Sequence, residues 1–156
     1  MNMSDSQSGA EIGCIWPIRV YYEDTDAGGI VFYANYLKFF ERARTEWLRA
    51  CGVDQRKLAE ETGALFVVRS TALDYHAPAR LDDMLRIVSR IERLGRASVD
   101  FAQEAWRDDT LLATGTIRVG CVDSKSMRPA AIPPPVLAAL RRGPDSSSAS
   151  MSTADV

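Results

Sequence analysis

Residues 34–51, ANYLKFFERARTEWLRAC, decide how this chain folds. Leu37, Phe40, Ala43 or Arg44, Trp47 and Cys51 recur every three to four positions, which lays an apolar stripe along one face of an α-helix. Glu41, Arg44 and Arg49 populate other faces, and Gly52 stands where a helix C-terminus favours a left-handed residue. Such a stripe needs an apolar cover, and the flanking sequence supplies one. Upstream, residues 18–23 (IRVYYE) alternate and are rich in Val, Ile and Tyr, which reads as a strand. Downstream, residues 55–62 form a second short helix of weak amphipathicity, and after Gly63 the period changes to two. Residues 66–75, 83–94, 97–107 and 111–123 each alternate; Val99, Phe101 and Ala105 oppose Asp100, Ala102 and Glu104. The connectors, a proline turn at Pro78, a glycine turn at Gly95 and Asp108-Asp109, are short enough to join antiparallel neighbours, so an antiparallel meander is expected. Residues 133–141 begin with prolines and read as a terminal helix. The class is α+β in two layers: one long helix wrapped by a five-stranded antiparallel sheet. A long sheet edge is left over, and edges are usually paired or covered, so a second subunit is expected there.

Size and charge narrow the function. The 156 residues suit one domain, with 46% hydrophobic and 26% charged residues. Lys and Arg number 19 against 21 Asp and Glu, a net charge of -2, so no global basic field draws in nucleic acid or anionic lipid. An anionic ligand must therefore meet a local basic cluster. Cys14, Cys51 and Cys121 are far apart and show no metal or redox spacing, which points to reduced thiols. There is no signal-peptide pattern and no run of 18 apolar residues, so a cytoplasmic protein without a membrane span is expected. The domain is expected over residues 13–142, between a flexible arm at 1–12 and a disordered tail at 143–156.

The chemistry points to residues 24–33, DTDAGGIVFY, between the first strand and the long helix. Asp24 and Asp26 flank one residue, and Gly28-Gly29 follow, where backbone amides can turn outward. The unpaired N–H groups of a helix N-terminus come next. A carboxylate beside those amides suits attack on a carbonyl whose oxygen becomes negative: the amides hold the oxyanion, and the carboxylate attacks or activates water.

The stretch from Arg19 to Arg44 resembles the 4-hydroxybenzoyl-CoA thioesterase superfamily, and within it the YbgC-like, Tol-Pal-associated acyl-CoA thioesterases. The D-x-D-x-x-G-x-V-x-[HY]-x-x-Y pattern carries the likeness, with the E-x-A-R helix, FVVR at 66–69, LDYHAPARLDD at 73–83 and RLGRAS at 93–98. The resemblance implies a hotdog fold, protomers joined edge to edge as dimers and often tetramers, and active sites at the dimer interface. It puts the catalytic aspartate on Asp26 and oxyanion amides near Tyr33, after the Gly28-Gly29 turn, with Gly29 as a further backbone element of the site. Many YbgC-like members carry His where this chain has Tyr33, so the mechanism leans on Asp26 and the helix end.

It also implies that Phe66, Val67 and Val68 line the acyl pocket, that Glu41 orients water or a neighbour near Asp26, and that Arg96 contacts CoA; Arg93 and Arg96 flank Gly95, and two nearby guanidinium groups can bind the CoA phosphates. Against these stand plain readings: strand core for 66–68, an Arg44 partner for Glu41, a solvated turn for the arginines. Lys125 and Arg128 form a lesser basic pair, and His76, the only histidine, reads as structural. The expected activity is hydrolysis of an acyl thioester to free acid and CoA, with no cofactor beyond the substrate's own CoA and no metal. An acyl-carrier protein is the other candidate acyl donor. The alternatives are a non-catalytic acyl-thioester binding module of the cell envelope and a hotdog hydratase or dehydratase.

Overall fold

The computed structural model describes residues 13–143, so the arm and nearly all of the tail lie outside the described residues. In chain order come β1 (Gly13–Arg19), a 3-10 turn (Tyr22–Asp24), α1 (Asn35–Ala50), α2 (Gln55–Thr62), β2 (Ala64–Tyr75), β3 (Met84–Leu94), β4 (Ser98–Arg107), β5 (Thr110–Asp123) and α3 (Pro134–Arg142). The strands form one antiparallel sheet in the order β1-β3-β4-β5-β2 around the long helix α1.

The buried face of α1 carries Tyr36, Phe39, Phe40, Ala43, Trp47 and Leu48. All but Leu48 meet Leu85, Ile87, Phe101, Leu112 and Ile117 from the sheet to make the core, and Leu48 joins a second cluster with Ala64, Val136 and Leu140. Leu37, expected on that face, lies outside it at 39% exposure, because the stripe is centred one residue to its N-terminal side, on Tyr36. The helix ends in a Schellman motif: Gly52 at φ +84° places its N–H on the Arg49 carbonyl (2.9 Å), and Val53 reaches the Leu48 carbonyl (2.8 Å). Asp54 then caps α2 by accepting the Lys57 N–H at 3.1 Å.

The helix sits close to the sheet because β5 has no side chain at residue 115. A Cβ there would lie 2.5 Å from Leu73 Cδ2 and 2.9 Å from Phe40 Cε2. Irregularities at 68–70 of β2 and 91–93 of β3 help the sheet curl around α1.

Two further sequence expectations need correction. The first strand runs over Gly13–Arg19, not 18–23. Its ladder stops at the Arg19–Met84 pair, and the Asp24 carboxylate then takes the Tyr21 N–H at 2.9 Å, bending the chain into the 3-10 turn. Only β3, β4 and β5 form a meander. The segment 76–83 is long enough to carry the chain from β2, at one edge, across to β3, so among the described residues β2 pairs only with β5. That crossover packs on the loop ahead of α1: Val31 N–H donates to the Ala79 carbonyl at 2.8 Å, and Ile30 bridges Arg80.

Candidate active site

The loop before α1 closes on itself. Thr25 bridges Val31, and the Asp26 N–H donates to the Ile30 carbonyl at 2.9 Å. Its base is tied to the helix through Asp24, whose carbonyl accepts from the Phe32 N–H (3.0 Å) and from Asn35 Nδ2 (2.8 Å). Asp24 and Asn35 are both buried, so this anchor is shielded from water. Of the two carboxylates in DTD, Asp24 is therefore structural.

Asp26 is the exposed one. Its Oδ1 accepts the Gly28 N–H at 2.9 Å, a local turn that fixes the side chain's direction and leaves most of the carboxylate's acceptor capacity open. Gly29 adopts φ +78° and gives its N–H to the Asp26 carbonyl at 3.0 Å. It shapes the turn, and its amide is already engaged.

The first turn of α1 is tightened. Asn35, Tyr36 and Leu37 donate to the carbonyls of Phe32, Tyr33 and Ala34 at 2.8, 3.4 and 3.1 Å. The amides that precede this ladder, those of Tyr33 and Ala34, have no acceptor among the described residues. No acidic side chain sits in the first turn to compete for them. The Tyr33 carbonyl accepts from the Tyr75 hydroxyl at 3.1 Å, which pins the start of α1 to the end of β2. Tyr33 and Tyr75 also meet edge-on, and Tyr33, Tyr36, Tyr75 and His76 line a recess with Ile30 and Val31. Burial pushes the Tyr36 and Tyr75 phenols up, so both stay protonated at neutral pH.

A second feature lies farther along α1. Glu41, Arg44, Thr45 and Leu48 from the helix face Phe66 and Val68 of β2 and Val99, Phe101 and Val119 deeper in the sheet, around a cavity of about 190 Å³. Phe66 and Val68 thus share a cavity with Glu41. Val67 lies between them in the strand, where alternation sends its side chain to the opposite face. Asp26, Gly29 and Tyr33 do not line this cavity. Within one protomer, then, the expected catalytic loop and the expected acyl pocket are separate places.

The basic residues are dispersed. Arg93 and Arg96 are exposed near the β3–β4 turn, where the Gly95 N–H closes on the Ser98 carbonyl at 2.8 Å. Arg93 stands opposite Asp100 in the ladder and adds to the charge that Arg118 places on that carboxylate. Arg96 carries no ion pair among the described residues. Lys125 and Arg128 lie in a turn organised by Asp123, which accepts the Ser126 N–H at 2.8 Å. His76 Nε2 meets the Thr114 hydroxyl at 3.3 Å and no carboxylate. Cys14, Cys51 and Cys121 are all buried, and burial pushes the Cys14 thiol up to about 11. Among the described residues no cluster of three His, Cys, Asp or Glu could hold a metal, and no helix is long and apolar enough to cross a membrane.

Comparison with known proteins fits this geometry to a family. The model of the thioesterase-like superfamily matches residues 20–140, from the end of β1 to the last helix. The chain belongs to that superfamily. It is 46% identical over 127 residues to the acyl-CoA thioesterase YbgC of Haemophilus influenzae, covering 81% of this chain and 93% of that relative. It is 47% identical over 128 residues to the acyl-CoA thioester hydrolase YbgC of Escherichia coli, covering 81% and 95%. Among solved structures, a probable thioesterase from Bartonella henselae superposes with a TM-score of 0.73 at 33% identity, over 78% of this chain and 99% of that one. The fold is the hotdog fold expected from the sequence, and the thioesterase-like domain takes in both the Asp26 loop and the cavity.

Sequence reading missed two residues that the structure brings into these features. Tyr75 reaches the helix start only because β2 ends beside it, and Arg44 reaches the cavity because Gln103, 59 residues away, draws it inward. Tyr75 lay within the LDYHAPARLDD stretch, which by itself gave it no role. Arg44 lay within the E-x-A-R pattern, but its direction was ambiguous between the buried stripe and the solvent face.

Proposed function

We propose that this chain hydrolyses acyl-CoA thioesters to the free acid and CoA, with Asp26 as the catalytic carboxylate. One observation carries the reading. An exposed carboxylate, with its direction set by Gly28, sits on a loop bolted through Asp24 to the first turn of a helix whose leading amides lack acceptors among the described residues. In the hydrolysis, oxygen from water adds to the thioester carbonyl carbon and the C–S bond breaks. Asp26 either takes the water's proton, which passes to the departing thiolate, or attacks first to give an anhydride that water opens. The Tyr33 and Ala34 amides are the donors suited to the developing oxyanion. The high identity to acyl-CoA thioester hydrolases over most of the chain supports the activity and its substrate class.

The separation of Asp26 from the cavity supports a site assembled from two protomers. β2 is the sheet edge best suited to pair with a second copy. It is long, its outer side is unpaired among the described residues, and it exposes Leu65, Val68 and Tyr75. The other edge, β1, is short and interrupted by Pro17, which cannot donate to a ladder. Joining two β2 edges would bring the Asp26 loop of one protomer toward the cavity of the other, and a pair of such dimers would make a tetramer. Arg96, with Arg93, is suited to the CoA phosphates, in a cytoplasmic setting where CoA is the acyl donor rather than an acyl-carrier protein. No cofactor beyond the substrate is invoked.

Release of free thiol from short, long and benzoyl CoA thioesters tests the reading. Turnover of at least one class is expected. Binding without CoA release would make the chain an acyl-thioester binding module instead, and appearance of an enoyl product from a 3-hydroxyacyl-CoA would make it a dehydratase.

A further inference from the structure

The cavity between α1 and the sheet contains a charge that hydrolysis alone does not require. Arg44 stands on its wall among Phe66, Val68, Val99 and Phe101. A guanidinium has five N–H donors. One bond is formed here: Nη1 donates to Gln103 Oε1 at 2.9 Å. No carboxylate of the described residues lies within ion-pair distance of Arg44. Burial, only partly offset by the charge of Glu41, pulls the guanidinium down to about 10.

Its position is not accidental. Gln103 is fully buried, and its Nε2 donates to the Phe40 carbonyl at 3.0 Å and to Ser89 Oγ at 2.9 Å. With its amide nitrogen committed to those two acceptors, Gln103 can turn only its oxygen toward Arg44. The sheet thus holds a cation in a mostly apolar lining, with most of its donors unmatched by the described residues.

A hydrocarbon acyl chain entering this cavity would displace water from those donors and offer nothing in return, which is the costly case for a polar group. An acyl group bearing an oxygen would replace the lost water. Resting on the hydrolase reading above, we infer that Arg44 determines specificity: the cavity selects short acyl groups that carry an oxygen acceptor over hydrocarbon acyl groups of the same length. Glu41 ranks the kinds of oxygen. It lines the same cavity, and its carboxylate accepts the Thr45 hydroxyl at 2.5 Å. A hydroxyl can donate to Glu41 while accepting from Arg44, whereas a second carboxylate is repelled by Glu41. Hydroxyacyl groups therefore rank first, dicarboxylic acyl groups second and plain ones last. The volume, about 190 Å³, limits length. Apolar cavities of about 150 Å³ take a benzene ring, so acyl groups of about four to six carbons fit.

The test compares kcat/KM for 3-hydroxybutyryl-CoA, succinyl-CoA and butyryl-CoA in the wild type, Arg44→Met and Arg44→Lys. One hydrogen bond to a charged group corresponds to a preference of about tenfold or more. The wild type is expected to favour the hydroxyacyl substrate over butyryl-CoA by at least that factor. Arg44→Met should bring the ratio to within about twofold of one, and Arg44→Lys should restore part of it. A merely structural Arg44 would lower all three substrates together and leave the ratio intact, which overturns the inference. A wild-type ratio near one overturns it without any variant. Succinyl-CoA above 3-hydroxybutyryl-CoA would keep the role of Arg44 and overturn the ranking assigned to Glu41. Hydrolysis of none of the thioesters tried would instead defeat the hydrolase reading, and this inference with it.

Discussion

The Asp26 loop and the α1–sheet cavity treat charge in opposite ways. The loop exposes a carboxylate to water and constrains it with one short-range bond to Gly28. The cavity draws a guanidinium out of water and constrains it with a network spanning α1, β3 and β4. A group that must attack a carbonyl benefits from access and free lone pairs; a group that must discriminate between acyl chains benefits from desolvation, where a missing hydrogen bond is expensive. As proposed above, neither feature makes a complete site by itself within one chain. On the proposed reading, the loop supplies the chemistry and the cavity the choice of substrate.

The sharpest way to break this division is Asp26→Asn. The amide oxygen can still accept the Gly28 N–H, so the fold and Tm should be unchanged while turnover falls at least about 100-fold, the scale of losing a positioned acid–base group. Retained turnover would remove Asp26 from its role. A smaller effect is expected from Gly115→Ala, which acts where α1 packs on the sheet that carries both features. The new methyl would collide with Leu73 and Phe40, so thermal unfolding should show a loss of about 1–3 kcal/mol. An unchanged Tm would mean that α1 shifts freely on the sheet. The smallest effect concerns a charge outside both features. The two hydrogen bonds from Arg118 hold the Asp100 carboxyl below its usual range, against the opposing effect of burial. Because the folded value is lowered, this contribution is present above about pH 4 and is lost as pH falls below it. Asp100→Asn should therefore flatten the acid limb of a Tm–pH profile slightly and leave turnover at neutral pH alone.

The contrast also explains what could be read from the sequence. The four long strands after Gly63 were placed within a residue or two, because alternating burial runs along much of β3 and β5 and the turn residues Gly63, Gly95 and Asp108-Asp109 mark the strand ends. The first strand was misplaced because Tyr21 and Tyr22 continue the alternation, whereas the Asp24 side chain competes for the Tyr21 amide and ends the ladder. Strand order was not legible, since nothing in residues 76–83 states which edge they cross to. The loop was legible as a unit, its carboxylates and glycines being adjacent in the chain. The cavity was only partly so. Glu41, Phe66 and Val68 were named by resemblance, yet the bond from Arg44 to Gln103 joins residues far apart in sequence and leaves no local signature.

The central claim is that the carboxylate and the cavity of one site come from different protomers. Co-expression of Asp26→Asn with Phe66→Trp, a substitution that fills the cavity, tests it directly. Each variant alone should be nearly inactive. A shared site predicts that the mixed dimer regains one intact site of its two, so that a statistical mixture recovers roughly a quarter of wild-type thioester hydrolysis. No recovery in an isolated mixed dimer would place both groups of a working site on one chain and contradict the account.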